Sequence, residues 1–158
     1  MSSHEALIHQ FYTAFQNRDY ATMQDCYHPQ ATFSDPVFQH LNAAQVKAMW
    51  QMLLTSAKDM RASFADINVS GNNGTCTWQA WYIFSKTGRP VHNVIHASFE
   101  FKDGKIFRHQ DSFNLWRWSR QALGVPGLFL GWSPMVRNTI RKSATYSLGK
   151  YMSGEKQA

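Results

Sequence analysis

The sequence predicts an α+β domain in which three N-terminal helices pack on an antiparallel sheet and a helical extension follows. Three observations carry this. Apolar residues recur at helical spacing up to Ala57, alternate with polar ones between Phe64 and Phe113 among glycine-bearing turns, and return to helical spacing after Trp118. A chain of 158 residues suits one domain whose core needs no disulfide or metal staple. We expect that domain over residues 1–152 and a frayed tail over 153–158.

Ser2 and Glu5 have capping-box spacing ahead of Leu7, Ile8, Phe11 and Phe15, the apolar face of a first helix ending near Asn17. Asp19 caps a second, shorter helix with the stripe Tyr20, Met23 and Tyr27, and Pro29 stops it, leaving His28 at an exposed helix end. Residues 31–34 form a short strand closed by Asp35-Pro36, because proline confines the residue before it to extended backbone. Asn42 and Gln45 repeat the capping box before the clearest helix, striped by Val46, Met49, Trp50, Leu53, Leu54 and Ala57.

Four antiparallel strands follow, joined by turns at Gly71-Asn72-Asn73-Gly74, Thr87-Gly88-Arg89 and Asp103-Gly104. Trp78, Ala80, Tyr82 and Phe84 share one face of the second strand. Asn93, Ile95, Ala97, Phe99 and Phe101 share one face of the third, with His92 and His96 on its outer face. Gly124, Pro126, Gly127 and Gly131 then interrupt the chain. Ser133 and Pro134 open a last helix with Met135, Val136, Ile140, Ala144 and Leu148 on its apolar side.

The chemistry concentrates in GKIFRHQDSFNLWRW, residues 104–118. If 105–113 is a strand, alternation puts Phe107, His109, Asp111 and Phe113 on one face. An imidazole and a carboxylate between phenyl rings are costly as core filling and suit a small-molecule pocket. The bland alternatives are that His109 and Asp111 bond to each other or to Trp and Tyr groups, and that Asp35 makes only a local turn ahead of Pro36. Trp116 and Trp118 fit core or lid packing.

Other function classes fit less well. The formal charge is +6, but the sixteen Lys and Arg are scattered, so no nucleic-acid partner is expected. Cys26 and Cys76 have no metal or redox spacing, and no apolar leader segment is evident, which predicts a soluble cytoplasmic protein with reduced thiols and no membrane partner. His96 and His109 face opposite sides of the sheet, so no metal site is expected, and no GxSxG elbow or paired Cys and His supports a nucleophile.

Residues 19–37, DYATMQDCYHPQATFSDPV, resemble the segment that forms the second helix and first strand of steroid delta-isomerases and SnoaL-like polyketide cyclases, members of the NTF2-like superfamily. The run from Gly88-Arg89 through Gly104-Lys105 to Phe113 is similar to the isomerase pattern, and the likeness covers about residues 5–118. It implies a cone-shaped NTF2-like fold with a strongly curved sheet, and a homodimer through that sheet. Asp35 falls on the isomerase's general base. The positions of that enzyme's oxyanion-hole tyrosine and acid hold Phe11 and Ala97, which cannot donate, so steroid isomerisation by that mechanism is not expected. The cyclases carry an acid–base aspartate where Asp111 stands. His109 and Asp111 are also similar in position to the His and Asp groups of scytalone dehydratase, another relative.

The resemblance therefore implies an enzyme that uses no cofactor or metal and performs general acid/base isomerisation, cyclisation, dehydration or epoxide hydrolysis on a small apolar molecule. Asp111 would be its principal acid/base, His109 a partner or substrate donor, and Asp35 a second carboxylate near the mouth. The pocket walls would be Phe11, Phe15, Trp50, Trp78, Tyr82, Ile95, Ala97, Phe107 and Phe113. The alternative is a non-catalytic NTF2-like binding or assembly domain whose cone is a ligand cup or is plugged.

Overall fold

The structure, a computed structural model, describes residues 2–124 and 133–154. The breakers Pro126, Gly127 and Gly131 and the last four residues of the expected frayed tail lie outside the described residues. In chain order the elements are α1 (Ser3–Gln16), α2 (Tyr20–Asp25), β1 (Tyr27–Ser34), β2 (Leu41–Asn42), α3 (Ala43–Ser56), β3 (Lys58–Ser70), β4 (Asn73–Phe84), β5 (Arg89–Lys102), β6 (Lys105–Ser112), α4 (Leu115–Leu123) and α5 (Pro134–Met152). The predicted α+β class holds, with three N-terminal helices, of which the second ends at Asp25, before the Tyr27 of its predicted stripe. No described helix is long and apolar enough to cross a membrane.

The caps act as their chemistry requires. Ser2 accepts from the Glu5 amide and Asp19 from the Thr22 amide, while Asn42 and Gln45 form the full reciprocal box at α3. Pro134 opens α5, but Ser133 makes no side-chain cap bond. Met135, expected on the apolar side of α5, is 77% exposed; Leu148 is buried and Ala144 packs on the core.

The sheet runs β2-β1-β6-β5-β4-β3. Bulges bend it. In β3 the register slips between Lys58 and Arg61 and between Ala65 and Asn68, where Asp59 and Asp66 take positive φ, a conformation aspartate tolerates better than most residues. The strand also starts before Phe64, at Lys58. The β3–β4 turn is only Gly71-Asn72; Asn73 and Gly74 already belong to β4. Gly74 is there for close approach, since a Cβ on it would meet Ile8 Cδ1 and Phe101 Cε2 at 3.0 Å.

The N-terminal half departs from expectation at one place that matters for the site. Tyr27 and His28 belong to β1 rather than to the end of a helix, and β1 pairs with β6 in parallel. Pro29 sits inside the strand because the register shifts between Tyr27 and Thr32, so its missing N–H interrupts no regular ladder there. His28 is buried, with Nε2 3.1 Å from Asp103 Oδ2 and its ring edge-on to Phe107.

Beyond Ser112, β5 loses β6 as a neighbour and α4 takes over the bare edge. Gln121 accepts the His92 amide through Oε1 at 2.8 Å and donates to the His92 carbonyl through Nε2 at 3.0 Å, standing in for a strand.

Candidate active site

The site grows from the parallel β1–β6 register. Phe33 lies opposite His109 and Ser34 opposite Gln110, and the residues that follow these paired positions are Asp35 and Asp111. Neighbouring strands are about 4.8 Å apart, and alternation turns Phe33, His109 and Asp111 to the core face. Two carboxylates from chain segments far apart in sequence thus line one cleft, close enough for the Asp111 charge to act on Asp35.

Behind Asp111 runs a buried polar chain. Trp50 Nε1 donates to the Tyr27 hydroxyl at 2.9 Å, that hydroxyl is 2.8 Å from His109 Nδ1, and His109 Nε2 is 2.8 Å from Asp111 Oδ1. An indole N–H can only donate, so the tyrosine oxygen accepts and its proton is available to Nδ1. With Nδ1 accepting, Nε2–H donates a hydrogen bond to the Asp111 carboxylate oxygen. Both His109 nitrogens are committed. With 1% exposure and both ring nitrogens hydrogen-bonded inside the protein, His109 holds Asp111 in place. The expected internal bonding of the pair and its placement near an open surface therefore coexist.

Asp35 makes the local turn as well. Its Oδ1 accepts from the amides of Val37 and Phe38, and its own amide donates to the Phe38 carbonyl. Burial pushes its carboxyl up to about 7; the Phe38 amide opposes this, and the charge of Asp111 adds to it. Nearby, Trp118 Nε1 donates to the Tyr82 hydroxyl at 2.7 Å; burial raises that phenol above its ordinary range, the indole bond opposes, and the Asp35 charge adds.

Asp35 and Asp111 line an open cleft of about 460 Å³ together with Ser34, Pro36, Ser112 and Arg141. A second open cleft, of about 500 Å³, lies around Arg61, Trp81 and His92, whose rings stack at 4.7 Å on the outer sheet face. Among the described residues, no group of three His, Cys, Asp or Glu side chains is placed to hold a metal ion. Burial pushes the Cys26 thiol up to about 11 and the Cys76 thiol up to about 12, which makes both poor nucleophiles.

The predicted pocket walls divide into three groups. Phe11, Phe15, Trp50, Trp78, Ile95 and Ala97 are buried in the core, where Trp50 lies within 6.2 Å, centroid to centroid, of the Phe11, Phe15, Phe33 and Trp78 rings. Tyr82 and Phe113 are half-buried at its margin. Phe107 faces away, contrary to expectation. The β5–β6 register pairs Glu100 with Arg108 but Phe101 with Ile106, which makes Phe107 the extra residue of a bulge. Ile106 takes the inward place, and Phe107 packs on His28 beneath Lys102.

Sequence reasoning missed Tyr27, hidden by its fit to a helical stripe, and Arg141, which reaches the cleft only because α5 packs against α3. The hydroxyl of Tyr12 and the indole nitrogen of Trp78 are buried without a hydrogen-bond partner among the described residues, while the two rings lie 5.9 Å apart.

Residues 8–109 match the model of the SnoaL-like domain family. No curated protein matches the chain. Among solved structures, an NTF2-like protein of unknown function from Burkholderia pseudomallei is 18% identical, with 72% of this chain and 92% of that one covered at a TM-score of 0.64. A candidate polyketide cyclase, IdmH, from Streptomyces antibioticus is 23% identical over 76% and 97% of the two chains at 0.63. An epoxide hydrolase-like protein from M. tuberculosis is 16% identical over 81% and 96% at 0.65. At these identities the structural likeness speaks for the fold, which is NTF2-like.

Proposed function

Because the chain belongs to the SnoaL-like domain family, we propose that it is a cofactor-independent enzyme that moves protons on a small, mostly apolar molecule held at the Asp35–Asp111 cleft. The observation that carries this reading is that Asp35 and Asp111, each one residue past the last β1–β6 pair, line one open cleft. Asp111, fixed by His109, is the principal acid/base. Asp35, with a pKa near 7, gives or takes the second proton near neutral pH. His109, Tyr27 and Trp50 are positioning residues. Isomerisation, cyclisation, dehydration and epoxide hydrolysis all need such a pair, and the family hosts several chemistries on one fold.

The test is a screen of hydrophobic ketones, epoxides and polyketide-like compounds, with ketones also incubated in heavy water and followed by proton NMR for loss of the α-C–H signal. Asp111→Asn should lower the rate by about 10²- to 10⁴-fold on any compound turned over. A variant as fast as the parent protein would remove Asp111 from the mechanism. The competing reading is a non-catalytic binding or assembly domain, and the mutual packing of Phe11, Phe15, Trp50 and Trp78 deep in the cone favours it. It predicts no turnover of anything in the screen. In either reading two copies pair through the outer sheet face, and a monomer in sedimentation at micromolar concentration would refute that pairing.

A further inference from the structure

The inward face of α5 changes character along its length. Ala144 and Leu148 pack on the core, whereas the positions one and two turns earlier on the same face are Arg141 and Arg137. Arg141 is half-buried, lines the Asp35–Asp111 cleft and donates through Nε to the Pro36 carbonyl at 2.9 Å. Among the described residues that is the guanidinium's one hydrogen bond, and it leaves the two terminal nitrogens uncommitted. Arg137 is also half-buried, and its Nε is buried with no hydrogen-bond partner among the described residues. A spacing of four residues puts the two side chains about 5 to 6 Å apart at Cβ.

Neither arginine is ion-paired with Asp35 or Asp111 among the described residues, although Arg141 shares their cleft. A buried guanidinium N–H without an acceptor is costly, and a structural salt bridge to either aspartate would have been the simple remedy. An acceptor from outside the chain is the alternative. A planar fork of N–H donors fits a carboxylate in two-pronged fashion. Positive charge at the mouth would also offset the repulsion that two aspartates exert on an anion.

We propose that Arg141, backed by Arg137 one turn earlier on the same face of α5, forms a carboxylate-binding site at the cleft, so that the ligand is an organic acid. This rests on the reading of the cleft as the ligand site and names the ligand's chemical class.

The test uses naphthalene-1-acetate and its neutral amide as a matched pair, with binding to the full chain followed by calorimetry. The parent protein should bind the acid about tenfold or more tighter than the amide. Arg141→Gln should abolish that preference, Arg137→Gln should reduce it, and Arg141→Lys should keep part of it by retaining the charge without the fork. Without any variant, raising the salt from about 0.05 to about 0.5 M should weaken the acid and leave the amide unchanged. Equal affinities, no binding of either probe, or a preference that survives Arg141→Gln in a folded variant would overturn the proposal. Turnover is a separate readout. If the acid preference collapses in Arg141→Gln while the compound screen shows no turnover, the carboxylate site stands and the enzyme reading falls. If Asp111→Asn abolishes turnover but the acid preference survives Arg141→Gln, the reverse holds.

Discussion

Replacing Asp35 by Asn isolates the electrostatic strain at the cleft. The amide oxygen of Asn can still accept from the Val37 and Phe38 amides, so the turn survives, whereas the charge does not. The carboxyl is raised from its ordinary 3.8 to about 7 in the folded protein. Between those values the native state holds a proton that the unfolded chain has released. Stability therefore falls as pH rises, by up to about 1.4 kcal/mol per pH unit, and levels off above about 7. The whole shift sets a ceiling of about 4 kcal/mol. Water in the open cleft screens part of it, which leaves about 1 to 3 kcal/mol. Urea titrations followed by tryptophan fluorescence should find Asp35→Asn about equal to the parent protein at pH 4 and more stable by that amount at pH 8. A difference between variant and parent that does not change from pH 4 to pH 8 would mean that Asp35 ionises like an exposed aspartate. It would then lose its role as a proton carrier near neutrality.

Two further substitutions probe the buried polar groups. Tyr27→Phe leaves Trp50 Nε1 and His109 Nδ1 without their partner and should cost about 2 to 4 kcal/mol in urea; a loss below about 1 kcal/mol would show that the chain behind Asp111 is not formed. Tyr12→Phe removes a buried hydroxyl that has no partner among the described residues, so it should be neutral or stabilising by up to about 1 kcal/mol. A clear destabilisation in the same urea measurement would mean that the hydroxyl has an acceptor after all.

Much of the fold was legible because local chemistry and tertiary packing agree. The Asn42–Gln45 box, the α3 stripe at Val46, Met49, Trp50 and Leu54, and the alternation through β4 and β5 ended where sequence placed them, whereas Leu53 is exposed and Ala57 caps the helix from outside. His109 and Asp111 could be singled out because a polar pair on a core-facing strand breaks the apolar pattern. The failures occur where long-range register overrides local period. Tyr27 fits a helical stripe after Met23, yet pairing with Ile106 draws it into β1. Phe107 fits strict alternation, yet a bulge opposite the Glu100–Phe101 step turns it outward. No periodicity could have shown that Asp35 and Asp111 line one cleft, because only a parallel pairing between the first and last strands brings them together. Arg141 was hidden for the same reason, since its contact with the Pro36 carbonyl joins residues 105 positions apart.

The pairing of β1 with β6 also orders events in time. Tyr27 and His109 are 82 residues apart, and the hairpins β3–β4, β4–β5 and β5–β6 lie between them. Those hairpins can close locally, whereas joining β1 to β6 closes a far longer loop and bears its entropy at once. No intermediate built only from the hairpins holds both aspartates, and a nascent chain has no site until β6 is made. Site geometry is thus a reporter of complete folding, and a ligand that bridges Asp35 and Asp111 would stabilise only molecules that have closed that loop.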